Sequence, residues 1–185
     1  MKYGAIILAG GKSSRMGQDK GLIRFENKYF VEYSIEALQS SAEDLSIVSS
    51  NEKYDRFNCN RVEDEIPGLG PLGGLQKGLR CSNYDKNVVL SSDIPFITNS
   101  IIERLIIESG GSLIAVAKCG DRVHPLIGIY SKQVLFELDQ FLASGGRSVM
   151  KFISRFETQF IEFDLSVAHC FVNVNTKEEF EALKS

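Results

Sequence analysis

One short segment limits the possible folds more than any other. Tyr3–Ala9 is an apolar run that ends directly on Gly10 and Gly11. A strand that is apolar on both sides has to be covered on both faces, as in a parallel sheet between two layers of helices. The rest of the chain repeats this theme. Further strands are predicted over Leu45–Val48, Asn87–Leu90, Leu113–Ala117, Val123–Tyr130, Gln159–Phe163 and Phe171–Val174, with Val123–Tyr130 a candidate for antiparallel pairing. Helices are predicted over Phe30–Leu38, Leu72–Leu79, Ser100–Ile107, Ser131–Leu142, Ser148–Phe156 and Lys177–Leu183. Strands alternating with helices predict an α/β fold whose mostly parallel sheet carries helices on both faces. Ligands of such sheets bind at the carboxyl ends of the strands. The loops Gly10–Asp19, Asp64–Gly74 and Asp93–Phe96 are expected to meet there.

The chain has 185 residues, enough for one compact domain with a real core. No repeat, low-complexity tract or linker interrupts it, so a single domain over 1–185 is expected. A net charge of −3 provides no basic field for non-specific nucleic-acid binding, and interleaved aromatic and basic repeats are missing. No apolar run has the length of a membrane span, and the first residues lack the apolar region of a signal peptide. A cytoplasmic protein with no nucleic-acid or membrane partner is the expectation. Cys59, Cys81, Cys119 and Cys170 are scattered and form no C-x-x-C pair, and neither His124 nor His169 completes a zinc-like cluster with them. Reduced, partly buried thiols are expected.

The chemistry concentrates in the loops. Gly10 and Gly11 open a segment carrying Lys12, Arg15 and Lys20. Glycine lets the backbone approach a ligand closely, successive N–H groups can cradle phosphate oxygens, and arginine binds phosphate bidentately. The spacing matches neither G-x-x-x-x-G-K-[ST] nor G-x-G-x-x-G. Gly70-Pro71-Leu72-Gly73-Gly74 is a turn that opens a helix, whose N-terminal N–H groups favour an anion or a purine edge. Asp93 follows a buried strand and is held by Pro95, a position suited to a hard cation or simply to a turn. Thr176 and Glu179 form a capping box for a last helix, and Asn173 and Asn175 lie just ahead of it. Read alone, Asn175 suits a turn, His124 a structural position and Arg147 a solvated surface as well as any ligand.

Taken together these segments resemble one family. Leu8 through Lys20 reads L-A-G-G-K-S-S-R-M-G-Q-D-K, which is similar to the signature of the molybdenum cofactor guanylyltransferases. Gly70–Leu75, Asp93–Phe96, His124–Tyr130, Gly145–Ser148 and Asn173–Glu179 match that family's later segments in the same order. The resemblance implies a three-layer, Rossmann-like nucleotidyltransferase fold of glycosyltransferase-A type, in its single-domain form. It implies transfer of GMP from GTP to the terminal phosphate of molybdopterin, with magnesium as the cation and manganese as the alternative. Under it, Arg15, Lys20 and Asp93 are catalytic, and Asp93 holds the metal. The nucleotide is assigned Leu8, Ala9, Gly10, Gly11, Lys20, Asn51, Asp64, Gly73 and Asp93, with Ser49 competing with Asn51 for one contact. The pterin is assigned His124, Arg147, Asn173 and Asn175. Cofactor-insertion proteins and molybdoenzymes are implied as downstream partners. Two other readings stay open: cytidylyl or other nucleotidyl transfer on the same scaffold, and a non-catalytic GTP- or pterin-binding carrier.

Overall fold

The computed structural model describes residues 2–10, 19–64, 69–174 and 179. Its centre is a seven-stranded sheet. In chain order the strands and helices are β1 (Tyr3–Leu8), β2 (Arg24–Phe25), β3 (Lys28–Tyr29), α1 (Phe30–Leu38), β4 (Asp44–Val48), β5 (Asn60–Val62), α2 (Pro71–Cys81), β6 (Lys86–Ser91), α3 (Asn99–Ser109), β7 (Ile114–Cys119), β8 (Arg122–Ser131), α4 (Leu135–Ala143), α5 (Val149–Ile153) and β9 (Gln159–Phe163). The strand order in the sheet is β5-β4-β1-β6-β8-β7-β9. Strand β8 runs antiparallel to both β6 and β7, and the other neighbouring pairs are parallel.

All six residues of β1 are buried, as a strand covered on both faces requires. Alternation along it builds two cores. Tyr3, Ala5, Ile7 and Ala9 face α1 and α3, where Val31, Leu38, Ile102 and Leu105 pack against them. Ile6 and Leu8 face the opposite layer, with Leu72, Leu75 and Leu79 of α2, Leu138 and Phe141 of α4, and Phe152 of α5. The expected three-layer α/β architecture is therefore present.

Several local expectations are corrected. Phe171–Val174 is not a strand. Leu165–Phe171 winds as a 3-10 helix whose end buries Cys170 and Phe171. Val174 then donates its N–H to the Asp93 carbonyl at 2.9 Å, so the segment fastens to a loop instead of a sheet edge. Three apolar residues out of four do not separate these outcomes. The helix expected over Ser131–Leu142 starts as a 3-10 turn at Lys132–Val134, with the Ser131 hydroxyl accepting from Gln133 N, before α4 begins. The helix expected over Ser148–Phe156 shortens to α5, and Ser148 caps it by accepting from Lys151 N. The antiparallel pairing of the strand around Val123–Tyr130 is observed. The final helix, Lys177–Leu183, lies outside the described residues except for Glu179. The hairpin β2–β3 and the edge strand β5 are additions to the expected order. All four cysteines are free, and Cys119 and Cys170 are buried.

Candidate active site

The site lies where β1, β4, β5 and β6 end. Their ladder continues one residue past three strand ends: Ala9 N donates to Val48 O, Ser49 N to Val62 O, and Ser92 N to Leu8 O. These bonds commit the Leu8 carbonyl and the Ala9 N–H to the sheet. Gly10 is the first residue to leave it, and a side chain there would meet nothing within 4 Å. Gly11, Lys12 and Arg15 lie outside the described residues.

Lys20 and Asp93, 73 residues apart in the chain, come together at this edge. Lys20 Nζ is 3.2 Å from Asp93 Oδ2, and the two side chains are 25% and 14% exposed. The other carboxylate oxygen, Oδ1, accepts from Ser91 Oγ at 2.7 Å and from Asn173 Nδ2 at 2.9 Å. Asn173 also sits between Val172 and Val174, and Val174 is itself bonded to the Asp93 main chain. Asp93 is thus oriented from both of its neighbours in space. Charge-assisted hydrogen bonds of this kind fix a carboxylate's orientation.

Asn51 and Ser49 are both drawn into local structure. Asn51 caps the 3-10 helix Glu52–Arg56, its Oδ1 accepting from Lys53 N, while its Nδ2 donates to Asp19 Oδ2 at 3.0 Å. The Ser49 hydroxyl is buried and accepts from Asn51 N. Asp64 is half-buried just beyond β5. At the start of α2, Gly70 has a φ of 64°, a left-handed conformation that glycine adopts without steric cost, and Pro71 follows at the first helical position. Gly73 is buried in the first turn and faces the Leu69 side chain.

The far side of the site is built from rings and backbone. His124, 7% exposed, stacks at 4.9 Å between ring centroids on Phe171, two residues before Asn173. Burial, and then the positive charge of Arg122, push its imidazole down to about 4. It is therefore neutral at physiological pH. Arg147 is exposed in the turn between α4 and α5 and donates through Nη1 to the carbonyls of Leu142 and Gly146, at 3.0 and 2.6 Å. Its guanidinium thereby caps α4. The structure joins Lys20, Asp93 and Asn173 directly, and His124 packs on Phe171, two residues before Asn173 in the chain. Arg147 stands apart on the α2 and α4 layer. Asn175 lies outside the described residues.

Sequence reasoning missed Ser91, which orients Asp93, together with Asp19 and Tyr54, discussed below. A hydroxyl two residues before a strand-end aspartate was the available signal for Ser91.

Comparison with known proteins decides the family. The model of the MobA-like NTP transferase domain matches residues 5–159. The chain belongs to the MobA-like NTP transferase family. A molybdenum cofactor guanylyltransferase of Vibrio vulnificus is 35% identical over 178 residues, covering 94% of this chain and 91% of the relative. Another, from Syntrophotalea carbinolica, is 32% identical over 191 residues, covering 98% and 90%. Among solved structures, an Aquifex aeolicus protein is similar with a TM-score of 0.81 and 25% identity, covering 95% of each chain. The molybdopterin-guanine dinucleotide biosynthesis protein A of Archaeoglobus fulgidus gives a TM-score of 0.79 at 23% identity, covering 98% and 96%, a likeness of fold. The family places the chain among the nucleotidyltransferases.

The residues at Asp93 fit a divalent cation that would take most of its ligands from phosphates and water. Among the described residues no group of three or more His, Cys, Asp or Glu side chains could hold a metal ion. Magnesium commonly uses one or two carboxylates and takes its remaining ligands from substrate phosphates and water. Asp93, with Oδ1 already oriented by two donors and Oδ2 facing a lysine, suits that mode. No helix among the described residues is long and apolar enough to cross a membrane.

Proposed function

We propose that this chain transfers GMP from GTP to the terminal phosphate of molybdopterin, releasing pyrophosphate and forming the guanine dinucleotide cofactor. The observation that carries this reading is the Lys20–Asp93 pair at the carboxyl edge of the sheet in a nucleotidyltransferase of this family. The two full-length relatives bearing the guanylyltransferase name support GTP as donor.

The reaction needs alignment and charge neutralisation. An oxygen of the acceptor's anionic phosphate forms a bond to the α-phosphorus, the bond from that phosphorus to the bridging oxygen breaks, and the electron pair leaves with pyrophosphate. The nucleophile already carries negative charge, so no side chain has to remove a proton. Lys20, with Arg15 and the backbone of Gly10 and Gly11, holds the triphosphate and stabilises charge that grows on the leaving group. Asp93 would hold magnesium, or manganese in its place. With a divalent cation bound, phosphate charge is neutralised and the α-phosphorus is polarised. Ser91 and Asn173 keep the Asp93 carboxylate aimed. Asp64 and the turn around Gly73 face the guanine and ribose. Asn51 contributes to the nucleotide side through Asp19.

The acceptor lies toward β8, against His124 and Asn173, with Arg147 and Asn175 toward its phosphate. A neutral imidazole can hydrogen-bond a pterin edge without adding charge. We further place the protein in the cytoplasm, handing its product to cofactor-insertion proteins and molybdoenzymes. The test is pyrophosphate release measured with each of the four NTPs, magnesium and molybdopterin. GTP should support release and the other three should not. A preference for CTP would point to cytidylyl transfer, and binding without release would point to a carrier.

A further inference from the structure

Tyr54 is fully buried on the 3-10 helix Glu52–Arg56, yet it carries a hydroxyl that the chemistry above does not use. That hydroxyl donates to Asp19 Oδ1 at 2.6 Å. The same oxygen accepts from Gly21 N at 3.2 Å, and Asp19 Oδ2 accepts from Asn51 Nδ2 at 3.0 Å. Ser92 lies close by, on the same side of Gly21 as the phenol oxygen. Burial, and then the Asp19 carboxylate, raise the phenol well above its ordinary range, so it stays a neutral donor. The packing around this point is close. A Cβ on Gly21 would run into both the Tyr54 hydroxyl and Ser92 Oγ.

These hydrogen bonds form a circuit around Asp19. Asp19 is bonded in the chain to Lys20, and Ser92 is bonded to Asp93. Lys20 and Asp93 form the ion pair of the site. Tyr54 holds Asp19 by a hydrogen bond and lies near Ser92. We propose that Tyr54 is a positioning residue whose hydroxyl sets the register of Lys20 against Asp93 by fixing Asp19, the residue before Lys20. The inference rests on Lys20 being the cation that holds the triphosphate. A hydroxyl is needed for this role, whereas packing needs only the ring, which lies 6.0 Å from the ring of Phe57.

Tyr54→Phe separates the two. It keeps the ring and removes the hydrogen bond to Asp19. A buried hydrogen bond to a charged group implies a loss of about tenfold in kcat/KM for GTP. Because Tyr54 acts through Lys20, the same substitution in a Lys20→Ala background should cost less than about twofold, since coupled residues give non-additive losses. A purely structural tyrosine would cost the same factor in both backgrounds. Asp19→Asn provides a second route to the circuit from its half-buried end, should Tyr54→Phe fold poorly, and the same non-additivity is expected of it. The measurement is steady-state kinetics of GTP with the full chain, magnesium and molybdopterin for the single and double variants, alongside thermal midpoints. Loss in the parent with near-silence in Lys20→Ala supports the inference. Equal factors in both backgrounds, or no loss in the parent, overturn it while leaving Lys20 as the phosphate cation. If Lys20→Ala leaves GTP kinetics unchanged, the reading of Lys20 fails and the inference fails with it.

Discussion

The carboxyl edge of the sheet is built in two different ways. Around β1, β4 and β6 the polar side chains are tied to one another: Lys20 to Asp93, Asp93 to Ser91 and Asn173, Asp19 to Tyr54 and Asn51. Toward β8 and the α4–α5 turn they rest on rings and main chain, His124 on Phe171 and Arg147 on the carbonyls that end α4. The first arrangement fixes charges in advance, which favours a reaction in which charge moves onto a leaving pyrophosphate. The second holds its imidazole neutral and leaves Arg147 attached to backbone acceptors that a phosphate could replace. Under the proposed function, the first side serves the chemistry and the second admits the acceptor.

Asp93→Asn should have the largest effect on this contrast. An amide cannot replace a carboxylate on a hard cation, so turnover should fall by about a hundredfold or more. Both carboxylate oxygens accept from donors, so the amide loses at least one of these bonds and the Lys20 ion pair, and the thermal midpoint should fall modestly while the chain stays folded. Near-normal activity with unchanged magnesium dependence would reduce Asp93 to a turn residue.

The next test sets the two cations against each other. Lys20→Ala should weaken GTP binding and slow transfer by roughly thirtyfold, the scale of one charge-assisted phosphate contact. Arg147→Ala should raise the apparent KM for molybdopterin by about tenfold and leave GTP affinity intact. The smaller factor follows from the two backbone hydrogen bonds that Arg147 has to exchange for the phosphate. Calorimetry with GTP and kinetics with molybdopterin, at one salt concentration, read both. Equal loss of GTP binding in the two variants would erase the division of the site.

The sequence conveyed these two sides unequally. β1 and the glycine loop were legible because a doubly covered strand and a phosphate-cradling turn leave local patterns. Lys20 and Asp93 were legible from the motifs they sit in. The circuit through Tyr54 was not, because an ordinary tyrosine meets an ordinary aspartate 35 residues away, and nothing local marks either. β2 and β3 have two residues each, too short for alternation to register. β5 is Asn-Arg-Val on an edge, without the apolar run that revealed the central strands. Arg147 was correctly placed beside a helix start, but the end of α4 is the nearer partner for its guanidinium.

The smallest expected effect concerns pH. The folded His124 titrates at about 4, well below its ordinary value of 6.5. Below pH 6.5 the unfolded chain therefore binds a proton that the folded chain refuses, so His124 contributes a loss of stability as pH falls from 6.5 toward 4, and none above 7. Thermal midpoints of the parent should decline through that window, and those of His124→Phe should decline less. Identical pH profiles would mean that the imidazole is not held neutral by its surroundings. Over pH 6 to 8 its charge does not change, so it should add no pH dependence to the KM for molybdopterin.

The most direct measurement is the mass of the product formed from molybdopterin, magnesium and an equimolar mixture of the four NTPs. The product should be the acceptor carrying one GMP, with one pyrophosphate released per molecule formed. An acceptor carrying CMP, or an acceptor unchanged while GTP stays bound, would contradict guanylyl transfer as the activity of this chain.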